Sequence, residues 1–357
     1  MRPSSPMTLR RAAGPLLALA LLALAPWAAA LTPAASPTET PLKKQTEEPP
    51  ETTIDADRLY AALVRVQAVA VPNARSSTTL GREREGTGTV IDKDGLILTI
   101  GYLNVEADAV KVTDARGRSH SARVVAYDHA TGLGLLKTTV PLNIPPVPLG
   151  NSAKLADREP VLIAGWGGIP DTALAYVVSR RPFSANWEYM LDEAIFTSPP
   201  TTGWSGAALV DRKGTIVGVG SLVVREATAE DPKLPGNMFV PIDALKPILD
   251  DMVKTGRRKG SARPWLGLAA DEVSGRLIVS RVSPEGPADS AGLRNGDIIL
   301  GVGNDPVKSQ ADFYQKLWNR SSAGDVIKLK VLQGADIRDV SVKSIDRVDY
   351  FRPVTTY

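Results

Sequence analysis

Cysteine is missing from all 357 residues, and histidine occurs only twice, at His120 and His129. The first absence excludes disulfides, thiol nucleophiles, cysteine-built zinc sites and a lipoprotein anchor. The second leaves too few imidazoles for a histidine-built metal centre, so neither a metal site nor a cofactor is expected. Aromatic residues make up 5 % of the chain, too few for the stacking platforms of a single-strand nucleic-acid binder. Charge of one sign is also lacking. The formal balance is +3, but Arg2, Arg10 and Arg11 lie in the first 30 residues, which hold no acid, so the remainder is neutral. No nucleic-acid partner is expected. No stretch alternates strand and helix as a doubly wound sheet requires.

What remains is a chain whose 43 % hydrophobic content supports real cores and whose length allows two or three domains. Residues 1–30 read as a secretory signal. Arg10-Arg11 precede the apolar run Ala12 to Ala25, and Ala28-Ala29-Ala30 offers a small-residue cleavage site. The run is short, broken by Pro15 and ended by Pro26, so no stable membrane span is expected after cleavage. The expected location is the bacterial periplasm or beyond. Residues 31–53, rich in Pro, Thr, Ala and charge, read as a disordered linker. A helix is predicted to begin near Asp55 with Leu59, Leu63 and Val64 on one face, followed by a strand from Val66 to Val71.

From 80 to 250 the pattern is short strands separated by turns, which predicts a β-barrel or a sandwich. The Asp94-Gly95 pair between Thr87–Ile91 and Leu96–Ile100 is a hairpin signal. The stretch Thr201-Thr-Gly-Trp-Ser-Gly-Ala-Ala-Leu-Val210 presents one serine, Ser205, between glycines and ahead of an apolar strand. Glycines there let the backbone approach an incoming carbonyl, as an oxyanion hole needs. An ordinary hydroxyl in a tight hairpin fits the same residues. A helix at Asp243 to Lys254 closes the region, and Arg257-Arg258-Lys259-Gly260-Ser261 reads as a solvated basic linker. Residues 262–350 form a separate unit: a strand at Leu277–Val282, a helix at Gln310–Trp318 and a last clear strand at Val326–Leu332.

The run from Ser283 to Ile299, Ser-Pro-Glu-Gly-Pro-Ala-Asp-Ser-Ala-Gly-Leu-Arg-Asn-Gly-Asp-Ile-Ile, resembles the bacterial PDZ pattern. That resemblance implies a groove that binds an extended peptide as an added strand and holds its terminal carboxylate on backbone N–H groups. The loop Trp265-Leu266-Gly267 would hold the carboxylate and Leu268 would begin the pairing edge. Phe313 and Leu317 would line the side-chain groove, with plain core as the competing reading. The stretches Gly86–Thr99, Asp128–Lys137 and Gly203–Leu209 resemble, in order and spacing, the trypsin-like domain of the HtrA/Deg family of exported serine proteases. The fold implied is mostly β: a chymotrypsin-like double barrel over 54–255, a linker at 256–261, an α+β PDZ domain over 262–350 and a tail over 351–357. Family members commonly assemble as trimers, so a homo-oligomer is expected.

The same resemblance places Ser205 at the nucleophile position and gives the N–H groups of Gly203 and Ser205 to the oxyanion hole. It also shows what is absent. Where the family has Asn-Asn-His, with histidine as base, this chain has Ile100-Gly101-Tyr102. Where the family has the aspartate that orients the base, this chain has Gly132. A serine hydroxyl is a weak nucleophile until a neighbour takes its proton. Tyrosine, titrating near 10, is a donor at neutral pH and not a base. Loss of a triad serine or histidine costs on the order of 10⁶ in kcat in an unrelated protease. His129 would reach the serine only if its loop were rebuilt, His120 reads as a strand residue, and Lys213 as solvated. The expectation is a pseudoprotease that binds unfolded polypeptide or peptide C-termini. The alternatives are an active endopeptidase with an unorthodox base, and a regulatory subunit of an active homologue.

Overall fold

The computed structural model describes residues 54–352; the expected signal and linker, and the tail beyond Arg352, lie outside the described residues. Among the described residues no helix is long and apolar enough to cross a membrane. Helix α1 (Ala56–Ala62) starts where the Asp55 carboxylate accepts the Arg58 N–H at 3.0 Å. It ends earlier than the apolar spacing predicts. Leu63 and Val64, expected on its face, open strand β1 (Leu63–Ala70) instead. From Val64 the valines and alanines recur every second residue and are buried, a strand period that overrides the helical one.

After α2 (Ser77–Leu80) come β2 (Glu83–Val90), β3 (Leu96–Ile100), β4 (Ala107–Thr113), β5 (Ser119–Asp128) and β6 (Leu133–Thr138). With β1 they close a barrel in the order β1-β2-β3-β6-β5-β4. The β2–β3 turn is built by Asp92, whose Oδ1 accepts the Asp94 and Leu96 N–H groups at 2.8 Å, and by Gly95 at φ 81°. The second barrel contains β7 (Pro160–Ala164), β8 (Thr172–Ala185), β9 (Tyr189–Ser198), β10 (Ala208–Val210), β11 (Ile216–Val224) and β12 (Gly236–Pro241). It closes in the order β10-β11-β12-β9-β8-β7. Val66, Ile97 and Leu135 fill the first barrel, and Ile163, Leu209 and Phe239 the second, all at most 1 % exposed. β12 was not legible in the sequence, because a glycine and a proline bracket it.

The helix expected over Asp243–Lys254 is split into a 3₁₀ turn at Ile242–Ala244 and α3 (Leu249–Thr255). Pro247 lies between them and has no N–H to continue a helix. The basic linker is not solvated throughout, as expected: Arg258 makes two 2.7 Å bonds to the buried Asp128. Beyond it lie β13 (Leu268–Val273), β14 (Arg276–Val282), α4 (Pro287–Ser290), β15 (Ile298–Val302), β16 (Asp305–Pro306), α5 (Gln310–Arg320), β17 (Val326–Gln333), β18 (Asp336–Lys343) and α6 (Arg347–Tyr350). The sheet order is β13-β14-β15-β17-β18, with β16 paired to β15, so β13 is an edge. Ser309 caps α5 by accepting the Asp312 N–H at 3.1 Å. Strand β18 and helix α6 go beyond the sequence reading. Past α6, Phe351 stacks on His129 at 5.4 Å and the Arg352 N–H bonds Glu106 Oε1 at 2.8 Å. Burial pushes the Glu106 carboxyl up, but N–H and O–H donors from Ser76, Arg352 and Arg75 prevail and hold it below its ordinary range.

Candidate functional site

Ser205 enters the β10–β11 hairpin between the two barrels. Its carbonyl accepts the Thr87 N–H of β2 at 2.8 Å. Next to it, Gly206 takes φ 70° and packs so closely on β2 that a Cβ would stand 2.2 Å from the Thr87 oxygen. These contacts fix the serine loop against the first barrel. Tyr102 reaches the serine from the 3₁₀ turn Gly101–Leu103 that ends β3. Its hydroxyl donates to Ser205 Oγ at 2.9 Å. Burial pushes the phenol well above its ordinary value, and the bond to Ser205 only partly opposes this. The phenol is therefore protonated at any physiological pH. The serine oxygen accepts a hydrogen bond here, and among the described residues its own hydroxyl finds no acceptor except the Glu85 carbonyl at 3.4 Å.

Gly132 sits on the loop before β6 at φ 78°, and its carbonyl accepts the Gly101 N–H at 2.7 Å. A Cβ added there would meet the Tyr189 hydroxyl at 3.1 Å, and that hydroxyl is engaged by the Thr131 carbonyl. A Cβ at Gly101 would strike the Tyr127 ring at 2.1 Å. Aromatic rings thus fill the space beside Tyr102. His129 lies between Tyr127, tilted against it at 4.0 Å, and Phe351, stacked on it, and burial, seconded by Arg347, holds its pKa well below the ordinary value. His120 pairs with Asp114 at 3.3 Å, and Lys213 is exposed in the β10–β11 turn. Neither His120 nor Lys213 is in hydrogen-bond contact with Ser205 Oγ.

One of the two N–H groups expected to serve an oxyanion is engaged elsewhere. The Gly203 N–H is turned to Thr201 Oγ1 at 3.3 Å. Asn237, fully buried on β12, holds Thr201 by two bonds at 2.8 and 3.1 Å. The Asp171 carboxylate is packed against Gly165, Gly167 and Gly203, so close that a methyl on Gly203 would lie 2.2 Å from Oδ1. A fixed carboxylate there opposes negative charge developing beside it. Sequence reasoning missed Asp171; the one signal was the glycine-rich turn Gly165-Trp-Gly-Gly168 just before it.

The groove expected to take a peptide is occupied by the chain itself. The N–H groups of Leu266, Gly267 and Leu268 converge on the Glu188 carboxylate at 2.9, 2.7 and 2.9 Å. Glu188 belongs to the tip of the β8–β9 hairpin. The Trp265 N–H takes no part, because it pairs with the Ile345 carbonyl. The Asn186 carbonyl accepts the Ala270 N–H of the β13 edge at 3.2 Å. Tyr314 of α5 donates to the Ala185 carbonyl at 2.7 Å and accepts the Glu188 N–H at 3.1 Å. Phe313 and Leu317 are fully buried in a cluster with Leu266, Leu268 and Met190 of the hairpin. Burial raises the Glu188 carboxyl to about 7 against the opposing N–H groups and Arg347.

The sequence matches a trypsin-like peptidase domain over residues 86–219 and a PDZ domain over residues 264–344. It is 28 % identical over 274 residues to a probable periplasmic serine endoprotease, DegP-like, of Hahella chejuensis. This chain is homologous to the DegP/HtrA proteases. A second relative of this homologue is Protease Do-like 1, chloroplastic, of Arabidopsis thaliana, 30 % identical over 282 residues. Each match takes in 72 % of this chain, which spans 56 % and 62 % of the length of those two relatives. An HtrA-type protease, AlgW, solved with a decapeptide, shares the fold at TM-score 0.51 and 19 % identity, over 84 % of this chain and 98 % of that one.

Proposed function

We propose that this HtrA homologue is an exported pseudoprotease that binds polypeptide and does not cut it. The observation that carries this reading is the 2.9 Å hydrogen bond that the Tyr102 hydroxyl donates to Ser205 Oγ. A nucleophile needs a neighbour that accepts a proton, and this neighbour is a donor kept protonated by its burial. The turned Gly203 N–H and the Asp171 carboxylate argue the same way, since each works against an oxyanion. Binding is assigned to the PDZ domain, whose N–H triplet at 266–268 suits a carboxylate. The relatives' name, periplasmic endoprotease, supports the periplasm as location, and a homo-oligomeric, trimeric state is proposed on the family resemblance alone.

The test is a fluorophosphonate probe with the purified chain, alongside casein digestion. No labelling of Ser205 and no cleavage are expected. Labelling that disappears in Ser205→Ala, with cleavage, would overturn the reading in favour of an active endopeptidase.

A further inference from the structure

The β13 edge offers the N–H groups of Leu268 and Ala270 to a pairing strand. Both are taken by residues of the β8–β9 tip, while the Ala270 carbonyl is closed off by Gln310 Nε2 at 2.6 Å. Glu188 supplies a carboxylate to the three-donor loop, and Met190, two residues on, supplies an apolar side chain to the pocket of Leu266, Phe313 and Leu317. Carboxylate and apolar side chain are what the last residue of a polypeptide brings to such a groove. Glu188 holds φ 56°, in the left-handed region that favours glycine. A glutamate fits this turn through what its side chain reaches. The hairpin register shifts between Arg181 and Phe183, and such a bulge gives the tip a place to bend without breaking the barrel.

We propose that the β8–β9 tip is a built-in competitor for the PDZ groove, with Glu188 and Met190 standing in for one terminal residue, and that a polypeptide ending in an apolar residue binds by displacing it. This rests on the reading of the groove as a C-terminus site. A tethered occupant lowers the apparent affinity of any outside ligand by the fraction of time the groove is free. Removing the carboxylate raises that fraction.

The experiment uses the full chain and its Glu188→Ala variant against a positional library of decapeptides with free C-terminal carboxylates, and the same library amidated. The variant is expected to bind free-carboxylate peptides with apolar ends about tenfold or more tighter than the parent, and amidated peptides should bind neither. Because the chain has no cysteine, Asn186→Cys with Asp271→Cys, whose side chains meet at 2.6 Å across the groove edge, can lock the tip in place. Oxidation should abolish binding and reduction restore it, which keeps the test open even if Glu188→Ala folds poorly. Equal affinity of parent and variant, or an oxidised chain that binds as well as the reduced one, overturns the competitor and leaves the C-terminus reading standing. Binding by no form of the chain overturns the C-terminus reading and the competitor with it.

Discussion

Restoring the family's residues by Tyr102→His with Gly132→Asp should yield a destabilised protein that still does not cut. Gly132 lies at φ 78°, where a residue with a Cβ carries strain of about 1–3 kcal/mol. Its new Cβ would press on the Tyr189 hydroxyl, which the Thr131 carbonyl holds in place. Replacing Tyr102 also removes its bond to Ser205, a loss of about 1 kcal/mol. Together these amount to about 2–4 kcal/mol, or a melting point lower by about 5–15 °C. Catalysis should stay at background because neither change frees the Gly203 N–H from Thr201 or removes Asp171 from beside it. Thermal unfolding and fluorophosphonate labelling of the double variant report both halves. Casein cleavage by this variant, at unchanged melting point, would refute the reasoning.

Glu188 carries a pH dependence. Its carboxyl, near 7 when docked against an ordinary 4.5, makes the docked tip bind a proton that the free tip releases. Docking is therefore strongest below the free value and weakens as pH rises through 7, so the tip should leave the groove more readily at pH 8 than at pH 5, by up to about tenfold per unit in between, read from the fluorescence of Trp187 at the tip. Arg347, Asp128, His129, Arg257, Arg258, Arg263 and Asp346 line the cavity that Glu188 borders, and the Tyr314 hydroxyl accepts its N–H; the Glu188→Gln variant should flatten the profile by fluorescence titration. Arg258→Ala should cost about 1–3 kcal/mol in chemical denaturation, since it strips a partly buried partner from the buried Asp128 while Thr131 still donates to it. Leu317→Ala, at a fully buried site, should cost about 2–5 kcal/mol and show as early melting of the PDZ unit by near-ultraviolet circular dichroism, not as a selective loss of binding.

Much of the fold was legible because it is written locally. The Asp92–Gly95 turn, the Leu96–Ile100 strand and the helix predicted from Gln310 to Trp318 each depend on residues a few positions apart. The elements that escaped are those whose local pattern is ambiguous. Leu63 and Val64 suit a helix face or a strand equally, and β18 buries only Val342 because it lies at a sheet edge. The position of Tyr102 opposite Ser205 could be anticipated from motif spacing, and the two now meet across 103 residues of chain. The Glu188 contacts, 78–80 residues from their donors, have no local signature, and the glycine-rich turn before Asp171 does not reveal that its carboxylate seats on Gly203. They arise only once two barrels and a third sheet have packed, and nothing in a glutamate beside a tryptophan announces what it will touch.

The clip between Arg258 and Asp128 and the return of Arg352 to Glu106 tie the two halves together at points other than the peptide link. A single tryptic nick after Arg257 leaves Arg258 on the downstream fragment and still bound to the upstream one. The Arg75–Glu285 pair at 2.5 Å adds another cross-link between the same fragments. The nicked protein would behave as a noncovalent heterodimer, its pieces separating on a denaturing gel yet eluting as one peak from a sizing column.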